Sequence, residues 1–305
     1  MAFENKLAYA QKCSEELDKI LVHKAKTGFM TQNDFGVSFT GADEVKVPDI
    51  ELTGAGKYDK ATGYPKSLIT INRETYKLEQ DRGVQFSIDA VDADQVGVEK
   101  LASQVLGEFV RTKMMPESDA YSISKLAGIA SNKAQTIPFA DYADAPYKAF
   151  VDMEGKIFET GNDENLIVLC SRDYYNSLVM SKEVEKVIDA GSFKHGDVTL
   201  DVKKINETYI VVVPEARLYT AYNFLEGATP DDFGFEPAEG ANKIKMLMLP
   251  AKAASKINKH EVIRIVEPSD NDDADAYKFN YRLHYDVLVK KSMLPTIWAM
   301  IEETV

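Results

Sequence analysis

His260-Glu261-Val262-Ile263-Arg264 is where this chain comes nearest to a hydrolase signature. A zinc hydrolase sets two histidines one helical turn apart so that both rings meet one ion, and the glutamate between them moves the proton of a bound water. Here Arg264 stands where the second histidine belongs, and the local alternation predicts a strand, on which the two positions share no helical face. Gly54-Ala55-Gly56-Lys57 lacks the spacing of a phosphate loop and continues into Tyr58 rather than Ser or Thr. Gly36-Val37-Ser38-Phe39-Thr40 misses the final glycine of a nucleophile elbow. The acidic run Ser269 to Asp275 suggests calcium. Counted from Asp270, however, Asp275 occupies the glycine position and Tyr281 the bidentate glutamate position of an EF-hand loop. His23, His195, His260 and His284 show no ligand spacing, and Cys13 and Cys170 are the only cysteines, so neither a disulfide framework nor a thiolate metal site is expected. The residues therefore predict no catalytic centre, no metal and no cofactor. An enzyme with a site dispersed along the chain is the competing reading, and it would run as a small oligomer in size exclusion.

Composition narrows the classes further. The 305 residues are 45% hydrophobic and 28% charged, as in ordinary globular proteins. A chain of this size buries roughly three quarters of its extended surface, in about two domains. Lys and Arg total 36 against 49 Asp and Glu, a net charge of -13. Tight wrapping of duplex DNA needs clustered cations and is not expected. No apolar run approaches the roughly 18 residues of a membrane helix, so no membrane partner is expected. The opening MAFENKLAYAQKCSEEL has no apolar signal core. With two cysteines, folding in a reducing cytoplasm is the expectation.

The elements follow from periodicity. Leu7, Ala10, Cys13, Leu17, Ile20 and Leu21 make one helical stripe over residues 4–26, closed at Gly28. Residues 36–66 hold turn formers and few large apolar residues. Leu68 to Leu78 alternates, a turn is expected at Gln80-Asp81-Arg82-Gly83, and Val84 to Ile88 returns. This is a long β-extension with little core of its own, and a lone hairpin is marginal in water. Residues 94–115 give the strongest helix, with Leu101, Val105 and Phe109 in its stripe, Asp92 and Asp94 at its start and a break at Pro116. A second helix is expected over Ser118 to Ala130. An α/β order follows: helix Tyr147 to Glu159, strand Leu166 to Cys170, helix Tyr174 to Met180, strands at Thr199 to Val202, Tyr209 to Val213 and Lys245 to Leu249, a short helix Ala251 to Ile257 and strand Glu261 to Val266. Tyr277 to Val289 alternates with only Leu288 out of phase, and a closing strand holds Ile297, Trp298 and Ile301.

Several stretches, taken in order, resemble a known family. GAGKYDKATGY, DRGVQFSIDAVDAD, PESDAYSISKLAG, YIVVVPEARLYTAYNF, KIKMLMLPAKAASKINKHEVIRIVEP and DADAYKFNYRLHYDVLVKKSMLPTIWAM are together similar to tailed-phage major capsid proteins with the Hong Kong 97-type fold. The resemblance implies an α+β capsid fold. Its parts would be an N-arm at residues 1–36, an E-loop extension at 37–90, a peripheral domain at 91–130 and 265–305 with a long spine helix, and an axial α/β domain at 131–264. It implies assembly rather than turnover, with Tyr58, Asp59, Lys60 and Tyr64 at the E-loop tip and Leu101, Val105 and Phe109 in the spine core. The implied partners are further copies in hexamers and pentamers, then scaffolding, portal and decoration proteins around double-stranded DNA that is enclosed but not gripped. The implied location is the virion, assembled in a bacterial host's cytoplasm. With about 35 residues ahead of the extension, a separate scaffold or none is expected. Some members cross-link Lys to Asn, and Lys57, Lys60, Lys66 and Lys77 lie in the extension, where surface lysines are expected anyway. An encapsulin-like nanocompartment shell shares the fold and is the alternative.

Overall fold

The computed structural model describes residues 25–303 apart from 42, 61–62, 65, 67, 92–97, 163, 182–187, 196–197, 206, 228 and 230–231. The helix expected over 4–26, with Asp92 and Asp94, lies outside the described residues or, at 25–26, at their edge. After a 3-10 turn at Gly28–Gln32 the chain forms β1 (Ser38–Thr40), β2 (Glu44–Leu52), β3 (Ile69–Lys77) and β4 (Gln80–Asp89). The first three make an antiparallel sheet, and β4 leaves it. This corrects the expected turn: residues 80–83 are already strand, and the corner is at Leu78-Glu79. Leu78 is buried at 4% exposure and its N–H donates to the Asp43 carbonyl at 2.8 Å, which fixes the corner there.

Helices α1 (Val98–Phe109) and α2 (Met115–Asn132) are joined by a π turn at Val110–Met114. The break expected at Pro116 does not occur. Proline lacks an N–H for the helical ladder, but it is tolerated in a helix's first turn, and the wider π turn puts Pro116 at the start of a fresh α segment. Beyond lie β5 (Thr136–Pro138), α3 (Pro146–Phe158), β6 (Leu166–Ser171), α4 (Arg172–Met180), β7 (Ile188–His195), β8 (Val198–Ile205), β9 (Thr208–Val213), β10 (Tyr222–Phe224), β11 (Phe235–Pro237), β12 (Lys243–Pro250), β13 (Ala254–Val266), β14 (Ala276–Val289) and β15 (Trp298–Glu302). The short helix expected at 251–257 is instead the entry to β13. The Asn33 amide donates to the carbonyls of Ala251 and Ala254 at 2.8 and 2.6 Å, and Ala254 is already in register with Val289. Those carbonyls are therefore taken before a helix could use them.

Seven strands form one mixed sheet in the order β5-β15-β12-β6-β9-β8-β7. Strand β6 shows why it is covered on both faces. Ile167 and Leu169 pack with Ile123, Leu126 and Ala127 of α2, while Leu166, Val168 and Cys170 pack with Phe150 and Met153 of α3 and Leu178 of α4. The period of two sorts one apolar run into two cores. Burial pushes the Cys170 thiol up to about 12, which keeps it neutral and inert.

A second sheet, β13-β14-β4, packs against α1 and the π turn. Leu106, Val110 and Met114 are buried at 0, 0 and 3% exposure. Phe109 is half-buried beside them and meets the rings of Phe86 and Tyr281 edge-on at 5.1 and 6.1 Å. Phe109→Ala is expected to cost about 2 kcal/mol in urea unfolding, from lost apolar burial and edge-to-face contact. The boundary expected between residues 264 and 265 falls inside β13, and β15 joins the seven-stranded sheet rather than the sheet of long strands. Leu288 is out of phase on β14 because that end is covered on both faces: it packs with Phe35, Val45, Val47, Leu78 and Ile257 beneath the first sheet. Among the described residues, no helix is long and apolar enough to cross a membrane.

Candidate assembly surface

The β2–β3 hairpin is rooted in the subunit and, among the described residues, bare beyond the root. Its register runs from Glu44 opposite Lys77 to Leu52 opposite Ile69. At the root Val45 and Val47 are buried, Lys291 pairs with Glu74, and Lys259 Nζ donates to the Gly41 carbonyl at 2.7 Å. Further out, Leu68, Ile69 and Ile71 are 63–70% exposed. The arms are held together where the Leu68 N–H donates to Thr53 Oγ1 at 3.1 Å. At the tip Asp59 bridges Gly63, whose φ of +82° suits glycine. That bridge sets Tyr58 and Tyr64 edge-to-face at 5.0 Å, both exposed. Tyr58, Asp59, Lys60 and Tyr64 thus share one tip. Soluble proteins normally guard edge strands with charge or cover. This hairpin carries branched apolar residues on an edge strand that the other described residues leave open.

The hairpin's orientation is set by charges on the first turns of α2. Arg82, just past the corner, gives Nε to Glu117 at 2.6 Å, Nη1 to the Leu225 carbonyl at 2.8 Å and Nη2 to the Gly234 carbonyl at 3.2 Å. Burial raises the Glu117 carboxyl above its ordinary range even though Arg82 pulls it down. Asp119 is fully buried. Its Oδ1 accepts from the Thr27 N–H at 3.0 Å and from Thr27 Oγ1 at 2.7 Å, and its Oδ2 from the Lys26 N–H at 3.1 Å and Arg217 Nη1 at 2.9 Å. Asp286, also fully buried, accepts from the Tyr121 hydroxyl at 2.8 Å and from Lys125 Nζ at 2.6 Å. Lys125 also pairs with Glu79 at the corner, at 3.3 Å. Burial, reinforced by Asp286, holds the Tyr121 hydroxyl well above its ordinary range. One helix end therefore fastens the incoming N-terminal segment, the hairpin corner and the loop after β9. Reading the sequence for apolar stripes passed over these residues. The signal available was PESDAY itself, where two acids follow a proline in a segment with helical period.

Of the expected spine residues, Val105 and Phe109 are half-buried, and the Leu101 side chain lies outside the description. His260 sits on β13 in register with His284, which fits a strand there. The acidic run before β14 is a structural turn: Asn271 Nδ2 donates to the Ala276 carbonyl at 2.8 Å, and Asp273 pairs with Lys278.

This architecture is shared by solved structures. The capsid of the cyanophage P-SCSP1u superposes with a TM-score of 0.54 at 12% identity, covering 88% of this chain and 86% of that one. The mature capsid of bacteriophage PhiM1 gives 0.51 at 11% identity, with 87% and 83% covered. The chain has the phage capsid fold. A virus-like particle from Pyrococcus furiosus shares this capsid fold at a TM-score of 0.51 and 10% identity, over 94% of this chain and 98% of that one. No family model matches the sequence, and no curated protein matches it. The kinship thus lies in the capsid fold's backbone path and not in residue identity.

Proposed function

We propose that this chain is the major capsid protein of a bacteriophage, assembling as hexamers and pentamers into an icosahedral shell around double-stranded DNA. The observation that carries this reading is a capsid fold bearing a hairpin whose apolar residues Leu68, Ile69 and Ile71 are left uncovered by the other described residues. A neighbouring copy can cover such a surface, and many repeated contacts sum through multivalency. On this reading the hairpin is the E-loop, α1 with its π turn and α2 form the spine, β4, β13 and β14 belong to the peripheral domain, and the seven-stranded sheet with α3 and α4 forms the axial domain. The role is structural, and a separate scaffold, a portal and decoration proteins are the further partners. Assembly takes place in the host cytoplasm and the product is the virion. Electron microscopy of the purified full chain tests this: closed shells of uniform size are expected, and monomers alone at every concentration and salt would overturn it.

A cellular nanocompartment is the second reading, favoured by the likeness to the Pyrococcus furiosus particle. Shells recovered from the native source separate the two, since one would hold DNA and the other a protein cargo. The net charge of -13 suits a container that does not grip its contents. Subunits titrated with duplex DNA near physiological salt are expected to bind more weakly than about a micromolar, at or below the usual non-specific range. Tighter binding would reveal a dedicated nucleic-acid surface.

A further inference from the structure

Two histidines and an aspartate from three distant segments meet in one row across the sheet of long strands. His260 of β13 stands in register with His284 of β14, and His284 stands in register with Asp81 of β4. Directly opposed residues of antiparallel strands share a face of the sheet, so the three positions lie on one face. That face is turned away from α1. On β14 the alternate residues Phe279, Tyr281, Leu283 and Tyr285 pack with Leu106 and Val110, whereas Arg282, two residues from His284, is exposed. Among the described side chains no three histidines, cysteines or carboxylates form a group that could hold a metal ion. The register position of His260 brings the set to three. Spacing along the chain shows no such set, because only strand pairing brings 81, 260 and 284 together.

The row has the make-up of a site for a transition-metal ion. Opposed residues on paired strands hold their Cβ atoms about 4.5–5.5 Å apart, and a row over three strands spans about 10 Å. His284 is 5% exposed, and among the described residues its side chain has no hydrogen-bond or ion-pair partner. A buried imidazole is normally partnered, so its nitrogens are available to an ion. Asp81 is already oriented: Arg282 Nε donates to its Oδ1 at 2.8 Å. A carboxylate has about four lone-pair sites, so the guanidinium leaves room for an ion, and ligating carboxylates are commonly held by such an outer partner. The next position of β4 on this face is Gly83, opposite Arg282, so no β4 side chain stands beside Asp81 on that flank. Two histidines with one carboxylate suit zinc, nickel or copper better than magnesium or calcium, which take oxygen ligands.

We propose that the row of His260, His284 and Asp81 is a binding site for one divalent transition-metal ion, an inference independent of the shell-forming reading. An ion held there ties β4, just past the hairpin corner, to β13 and β14, and it raises subunit stability by mass action because the unfolded chain lacks the row. The test is a calorimetric titration of the full chain, as unassembled subunits, with zinc alone as the probe. Cys13→Ser is the parent, so that its thiol does not compete for the metal. One zinc ion per chain is expected, together with a melting temperature that rises with zinc concentration. His260→Ala and His284→Gln are each expected to weaken zinc binding at least tenfold, as loss of a ligand does, and to remove the melting shift. His23→Ala is the control and leaves both readings as in the parent. Because His284 is buried, His260→Ala carries the test if the Gln variant does not fold. No zinc binding by the parent up to about a millimolar would overturn the proposal. So would parent-like affinity in His260→Ala, or loss of the zinc effect in His23→Ala.

Discussion

Deleting residues 53–65 leaves a subunit that melts as the full chain does but does not close into shells. The described part of that segment is exposed almost throughout, so its removal takes no buried apolar contact from the core. Lys66-Ser67-Leu68 would then link Leu52 to Ile69, a three-residue connection of ordinary hairpin length. Shortening the connection from residues 53–68 to residues 66–68 lowers its closure cost by about 1.5 kcal/mol, so the loop itself takes no stability away. Assembly is another matter, because Tyr58 and Tyr64 go with the segment. Thermal melting of disassembled subunits and electron microscopy of the concentrated protein report the two effects separately. Unchanged shells would show that the tip makes no lattice contact. A large drop in melting temperature would show that the hairpin is part of the subunit's own core.

Asp119→Ala is expected to destabilise the subunit by about 3–5 kcal/mol, the usual range when one member of a buried charged pair is removed. Asp119 is fully buried and accepts from two backbone N–H groups, one hydroxyl and Arg217. Truncation leaves Arg217, 19% exposed, beside donors that water reaches poorly. Asp119→Asn keeps the shape and one acceptor oxygen and should recover part of the loss. Urea unfolding by circular dichroism measures both variants. A change below about 1 kcal/mol for Asp119→Ala would show that the network relaxes or hydrates without it. The N-terminal segment should also loosen at Lys26-Thr27, read as faster proteolysis there than in the parent chain.

Much of the fold was legible because local period and burial coincide. Alternation located β14 to within a residue, and the apolar run Leu166 to Cys170 located β6, with the helix expected at Tyr174 to Met180 starting two residues earlier. The helix signal over α1 and the thin core of the extension were equally plain, since each depends on neighbours a few residues away. The tip residues Tyr58, Asp59, Lys60 and Tyr64 came from the family resemblance and not from local period. The partner of each strand was not legible. Leu68 to Ile88 reads as one hairpin, yet β4 pairs with β14, almost 200 residues on, because the half-buried Val84, Phe86 and Ile88 pack there against the cluster of Phe279 and Tyr281. The polar anchor was equally hidden. Glu117, Asp119 and Lys125 look like a solvated helix face until Arg82, Arg217 and Asp286 arrive from three distant segments. Periodicity reports which face is apolar, whereas pairing and the burial of charge depend on what the chain brings back against that face. For this protein the sequence alone determined the elements and the bare extension, and the tertiary structure decided where that extension is fastened. A buried carboxylate is tolerable only beside donors that no local pattern announces.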